Sequence, residues 1–150
     1  SAYLRVAFSL DCCDREAIAW VAGRDHLIGA DIKNLMALSI ERRFRATTTP
    51  HRIEWLSDNG PPYTAYFTRL FGTVHGLDVC TTPAYSPESN GMAEAFVKTF
   101  KRDYVYLGDV TTAQAVLRQL PHWLADYNEN HPHKGLKLLS PNQFRRAQAA

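Results

Sequence analysis

Nothing in the 150 residues approaches a membrane span: no apolar stretch reaches the ~18 residues that would cross a bilayer, and the N-terminus lacks the basic-then-apolar pattern of a secretory leader. Insertion and secretion are not indicated, and a cytoplasmic protein is the expectation. Cysteine is scarce as well. Cys12, Cys13 and Cys80 are odd in number, two are adjacent and none has zinc-ligand spacing, so reduced thiols are expected and not a disulfide framework or a structural metal. A strong charge of one sign is also missing. At a net +2, affinity for a polyanion has to come from where the bases sit and not from their sum. Internal repeats and low-complexity segments are absent. What is present, 45% hydrophobic residues in a length able to bury one core, predicts a single globular domain over residues 1–150. Ser1-Ala2 reads as the scar of a removed tag, and the chain then enters an apolar run without a lead-in, as an excised fragment would.

Tyr3 to Leu10 alternates, with Leu4, Val6, Phe8 and Leu10 on the face expected to be buried. "DCCDRE" turns the chain, and Ala17 to Val21 returns as the second strand of an antiparallel hairpin. From Asp31 to Phe44 the spacing of Ile32, Leu35, Met36, Ile40 and Phe44 predicts an amphipathic helix. "HRIEWL" is a short strand ending at Asp58, and Asn59-Gly60-Pro61-Pro62 is read as unable to continue any regular element. Phe67, Leu70, Phe71 and Val74 mark a helix stopped by Gly76, and Leu77 to Cys80 is one more short strand. The run "TTPAYSPESNG", Thr81 to Gly91, has no periodicity and is long enough to suggest a functional loop. Helices follow from Met92 to about Tyr106 and from Thr112 to Asn128, the second with Pro121 as a kink or break. A last helix opens at "SPNQ", where Ser140 and Gln143 form a capping box around Pro141. Strands first and helices later predict an α/β layer, a small mixed sheet flanked by helices.

Two acids stand at element boundaries. Asp58 closes a strand and Glu94 lies in a first helical turn, with 35 residues between positions 58 and 94. Each has an ordinary explanation: Asp58 can bind its own turn backbone, and Glu94 can complement the helix dipole. Taken together, two carboxylates beside irregular backbone can hold a hard divalent cation with positions open for a substrate. Lys98 and Lys101 continue one face of Glu94's helix, where the alternatives are a Glu94–Lys98 salt bridge and a phosphate-binding strip that Arg102 extends. His131 and His133, two apart across a proline, suggest zinc only weakly and are read as a polar surface loop.

The motifs "SDNGPPY", "SPESNGMAEAFVKTFKRDY", "YNENHPHKGL" and "SPNQF", in this order and spacing, resemble the integrase-type catalytic core of insertion-sequence transposases, the group with the Asp, Asp, 35-residue gap, Glu signature. The resemblance covers nearly the whole chain and departs from the family at His131, where many relatives carry Arg. It implies a ribonuclease-H-like fold whose first strand is lacking from this chain. It also implies metal-dependent cleavage and transfer of DNA strands, with two Mg2+ or Mn2+ ions about 4 Å apart. In that scheme Asp58 and Glu94 are catalytic metal ligands, Lys98, Lys101 and Arg102 contact DNA, and Ser86, Pro87 and Asn90, which plain turn chemistry also explains, belong to a loop that closes on it. The partners implied are mobile-element ends, target DNA and further copies of the chain. A different class stays open, a DNA-binding or assembly module without chemistry. The first carboxylate is the point that separates the two readings: Asp11 is the one early candidate, but "LD" followed by a turn and a strand matches the family's second strand, so Asp11 is expected to serve the turn or a nearby base and the chain alone to be inactive.

Overall fold

The computed structural model describes residues 3–81 and 91–149. Its elements run β1 (Leu4–Leu10), β2 (Ala17–Arg24), α1 (Gly29–Phe44), β3 (Ile53–Ser57), α2 (Pro61–Thr64), α3 (Tyr66–Val74), β4 (Leu77–Thr81), α4 (Gly91–Phe100), a π-helical turn (Lys101–Val105), α5 (Ala113–Asn130), a 3-10 turn (Lys134–Leu136) and α6 (Pro141–Ala149). They fall into two compact units, Ser1–Ser9 with Ile18–Gly91 and Leu10–Ala17 with Met92–Ala150. None of the helices among the described residues is long and apolar enough to cross a membrane.

In the first unit β1 and β2 pair as expected. Hydrogen bonds from Asp11 N–H to the Glu16 carbonyl and from Asp25 N–H to the Tyr3 carbonyl fix them antiparallel. The buried face of β1 is the reverse of the expected one: Ala7 and Ser9 are 6% exposed, while Leu4, Val6, Phe8 and Leu10 are only partly covered. Size explains the inversion. Small side chains let α1 approach β1 closely enough for the Ser39 hydroxyl to lie 2.7 Å from that of Ser9, which also accepts the Ala19 N–H at 3.1 Å. Helix α1 behaves as its spacing predicts. Ile32, Leu35, Met36 and Ile40 are at most 2% exposed, and the burial of each contributes about 1.5–3 kcal/mol. Asp31 reaches back to accept the Ile28 N–H at 2.8 Å, which closes the helix start.

Strands β3 and β4 pair in parallel, with Ile53 opposite Leu77 through to Ser57 opposite Thr81. A parallel neighbour needs a crossover, and α2 with α3 supplies it. Helix α2 departs from the expectation that Pro61-Pro62 only breaks regular structure. Prolines lack N–H groups that a first helical turn would leave unpaired anyway, so the Gly60 carbonyl instead accepts from Tyr63 and Thr64. The residues that seat α3 are Thr68 and Gly72; Phe67 is 70% and Val74 64% exposed. A Cβ at Gly72 would meet Val79 at 2.7 Å, so the small residue again allows the close approach. Gly76 is obligatory on two counts, a φ of +102° and a virtual Cβ 1.9 Å from the Thr49 hydroxyl oxygen.

The second unit is held by rings. Tyr127 of α5 is 2% exposed, with Phe96 edge-on at 5.1 Å, His131 stacked at 5.0 Å and His133 edge-on at 5.4 Å. Phe100 stacks on Phe96 and on Tyr104 and meets Trp123. The expected helix from Met92 widens into the π turn after Phe100, which leaves Tyr104 stacked over Phe100 with its hydroxyl donating to Asp126 at 2.7 Å. Asn128 grips the start of β2 with both ends of its amide, accepting from Ala17 N–H at 2.9 Å and donating to its carbonyl at 3.0 Å. Pro121 does not interrupt α5, which Thr112 caps through the Ala115 N–H. The capping box at α6 forms as expected, with Gln143 N–H to the Ser140 hydroxyl and Ser140 N–H to the Gln143 side chain. Lys137 and Leu138 both hold left-handed backbone, at a cost of roughly 1–2 kcal/mol per residue.

Candidate active site

Asp58 sits one residue past β3, exposed. Its Oδ1 accepts the Gly60 N–H at 2.8 Å, the ordinary turn role allowed for it from sequence, and a Cβ at residue 60 would lie 2.9 Å from that oxygen. The turn engages one carboxylate oxygen of an exposed residue. Tyr63 stands beside it, its phenol pushed up first by burial and then by the Asp58 charge.

Glu94 lies in the first turn of α4, exposed, in the second unit. The Glu94–Lys98 salt bridge entertained from sequence is not made: among the described residues neither side chain, nor Lys101, has an ionic or hydrogen-bonded partner. Among the described residues, Lys98 and Lys101 are therefore exposed cations without a counterion. Arg102 differs. Its guanidinium forks onto Asp103 at 2.8 and 2.9 Å, and this, followed by the His131 contact, holds the Asp103 carboxyl far below the usual carboxylate range. Ser86, Pro87 and Asn90 lie outside the described residues. Among the described residues no three of His, Cys, Asp and Glu gather into a group able to hold a metal ion.

Asp11 takes the turn role expected of it. Its Oδ1 accepts from the N–H groups of Cys13 and Asp14, at 2.8 and 2.9 Å. His131 and His133 are not the polar surface loop expected: both rings pack on Tyr127, and His131 Nε2 contacts Asp103 Oδ2 at 3.1 Å. Two apolar-facing histidines beside a buried tyrosine look, in sequence, no different from two exposed ones. Burial, then the neighbouring His131 and Arg15, push the His133 pKa down to about 4.

That depression has a sign. The unfolded chain holds a proton on His133 below about 6.5 while the folded chain does not until about 4, so the contribution is complete above 6.5 and is lost as pH falls toward 4. Denaturant titrations between pH 7.5 and 4.5 are expected to show stability falling through this window, with a shallower fall in His133→Gln. Equal slopes for the two proteins would show that His133 is not the group responsible.

Comparison with known proteins bears on this site. Residues 75–141 match the family model of the integrase core domain. The chain is 51% identical over 147 residues to an insertion element IS136 protein of Agrobacterium fabrum, an alignment covering 97% of this chain and 75% of that one. It is 41% identical over 146 residues to the putative transposase InsD for insertion element IS2E of Escherichia coli, covering 97% and 67%. Among solved structures it is similar to the catalytic core domain of BIV integrase, with a TM-score of 0.63, 20% identity and coverage of 96% and 87%. It is also similar to a chain of the simian T-cell lymphotropic virus intasome in complex with PP2A regulatory subunit B56 gamma, with a TM-score of 0.69, 16% identity and coverage of 94% and 48%. At these identities the two viral structures speak to the fold, which is ribonuclease-H-like as expected.

Proposed function

Because the chain belongs to the integrase-core family of insertion-element transposases, we infer that it is the catalytic core with which such an element's DNA strands are cut and rejoined. The observation that carries the reading is the pair of exposed acids, Asp58 at the end of β3 and Glu94 at the start of α4, spaced as the family signature requires in a chain at 41% identity to a transposase. Hard carboxylate oxygens suit Mg2+ or Mn2+, and both side chains are open to solvent, so they fit as ligands. Such ions, when bound, supply charge stabilisation to an in-line phosphoryl transfer. The fit is incomplete in number. Two carboxylates are few oxygens for two ions, and Asp11 is occupied in its turn, so we read the 150-residue chain by itself as catalytically incompetent.

The residues that meet DNA in this reading are Lys98 and Lys101, with Ser86, Pro87 and Asn90, which precede α4 in sequence. Lys98 and Lys101 follow Glu94 by four and seven residues along α4 and its π turn, and among the described residues neither ammonium group has a partner, so both are available to phosphates beside Glu94. Arg102 joins them only by releasing or sharing Asp103. Paired element ends call for more than one copy, and one of the similar folds is part of an intasome. The relatives are bacterial, and the cytoplasm, where bacterial DNA lies, is the place of action proposed.

The test that uses this chain is DNA binding against salt. Lys98→Ala with Lys101→Ala is expected to weaken binding to duplexes of any sequence and to reduce the salt slope by about one to two, with the thermal midpoint unchanged because both positions are exposed. Binding of the double variant at wild-type strength across the salt range would remove α4 from the DNA interface.

A further inference from the structure

The segment that joins α5 to α6 is more elaborate than a connection requires. His133 N–H donates to the Leu139 carbonyl, and the His133 carbonyl accepts from Leu136 and Leu138, so the loop closes on itself. Leu136 anchors it at 3% exposure, and its neighbour two residues on, Leu138, stands 68% exposed. Lys137 and Leu138 hold φ of 56° and 67°, a conformation that glycine adopts freely and that branched side chains avoid. The loop does contain a glycine, but Gly135 is placed elsewhere, where a Cβ would lie 3.2 Å from the Arg15 guanidinium. Backbone strain is therefore accepted at the two positions that project a cation and a large apolar side chain. Lys134 and Lys137 are both exposed, and among the described residues neither ammonium group has an ionic or hydrogen-bonded partner.

Two exposed lysines on a closed loop, the second of them adjoining an exposed leucine, suit a polyanion that carries flat apolar faces inside its charged rim. We propose that the loop from His133 to Leu139 is a second DNA contact of this core, with Lys134 and Lys137 on phosphates and Leu138 pressed into the base stack as an apolar wedge. The proposal rests on the reading of the chain as a DNA transposase core. An acidic protein surface would satisfy the lysines but gives no reason to hold Leu138 out beside Lys137, and it is distinguished below.

The backbone supplies an unusual control. Glycine at 137 or 138 relieves the left-handed strain, so Lys137→Gly and Leu138→Gly are expected to keep or raise the thermal midpoint while impairing the contact. With a mixed-sequence duplex, wild type is expected to make thymines reactive to permanganate, the mark of unstacked bases. Leu138→Gly loses that reactivity with an unchanged salt slope. Lys137→Gly lowers the slope by about one, and Lys137→Arg restores it. If both glycine variants keep wild-type slope and thymine reactivity, the loop does not touch DNA, and an acidic protein partner becomes its better occupant. If wild type binds but never exposes thymines, the wedge is wrong. If wild type binds no duplex at all, the core reading fails and this proposal with it.

Discussion

Asp58→Asn is expected to lower metal-dependent strand transfer about a thousandfold or more in a transposase that carries this core, and to leave the fold and duplex binding intact. The size follows from what a metal-binding carboxylate contributes: a lost ligand forfeits several kcal/mol of transition-state charge stabilisation, at about 1.4 kcal/mol per factor of ten. The specificity of the test follows from the turn. Asn keeps an oxygen for the Gly60 N–H, now 2.8 Å from Asp58 Oδ1, so the strand end keeps its shape and only the anionic charge goes. Glu94→Gln should behave alike, since Glu94 is exposed and supports no ion pair among the described residues. Strand transfer is read on labelled element ends with Mg2+ and with Mn2+, and duplex binding on the same samples. Near-wild-type transfer by either variant sinks the assignment of that residue.

Asp11→Asn is the control that tests the alignment of the first acid. An asparagine can accept from Cys13 and Asp14 as the aspartate does, so transfer should change by no more than a few fold. A loss as deep as that of Asp58→Asn would mean that Asp11 belongs to the metal site and that its turn contacts are incidental.

The elements that sequence predicted well are those whose evidence is local. Helix α1 announced itself because Ile32, Leu35, Met36 and Ile40 share one face, and all four are in the core. Ser140 and Gln143 capped α6 because a capping box needs only side chains three residues apart. What failed depended on how closely elements approach. Ala7 and Ser9 face α1 because they are small, whereas reading by hydrophobicity assigns that face to Leu4, Val6 and Phe8. Gly72 and Thr68 seat α3 for the same reason, against the apolar stripe of Phe67, Leu70 and Val74. The site divides in the same way. Asp58 and Glu94 were legible as types at boundaries with a fixed spacing, but the commitment of Arg102 to Asp103 and the packing of His131 on Tyr127 are tertiary facts with no local signal.

The second large effect falls on stability. Tyr127 is the ring that Phe96, Phe100, Tyr104, His131 and His133 all face, at centroid distances from 5.0 to 6.4 Å. Burial pushes its phenol up to about 12, consistent with a side chain that is 2% exposed. Tyr127→Ala removes a whole ring from this set and leaves a cavity that five neighbouring side chains cannot all move to fill, a loss on the order of 3–5 kcal/mol. Against the roughly 5–15 kcal/mol that holds a domain folded, this lowers the thermal midpoint by about 10 °C. Tyr127→Phe keeps the ring and its contacts and should stay within about 1 kcal/mol of wild type, so the two variants separate packing from the hydroxyl. The edge-on contact with Phe96 can be isolated by a double-mutant cycle, with an expected coupling of about 0.5–1.5 kcal/mol. Calorimetry adds a further reading, because a scan that splits in two with one part shifted would show the two compact units unfolding separately. A midpoint for Tyr127→Ala within a degree or two of wild type would mean that the ring cluster is not what holds the second unit together, and that the burial of Leu120 and Leu124 along the same helix carries that load instead.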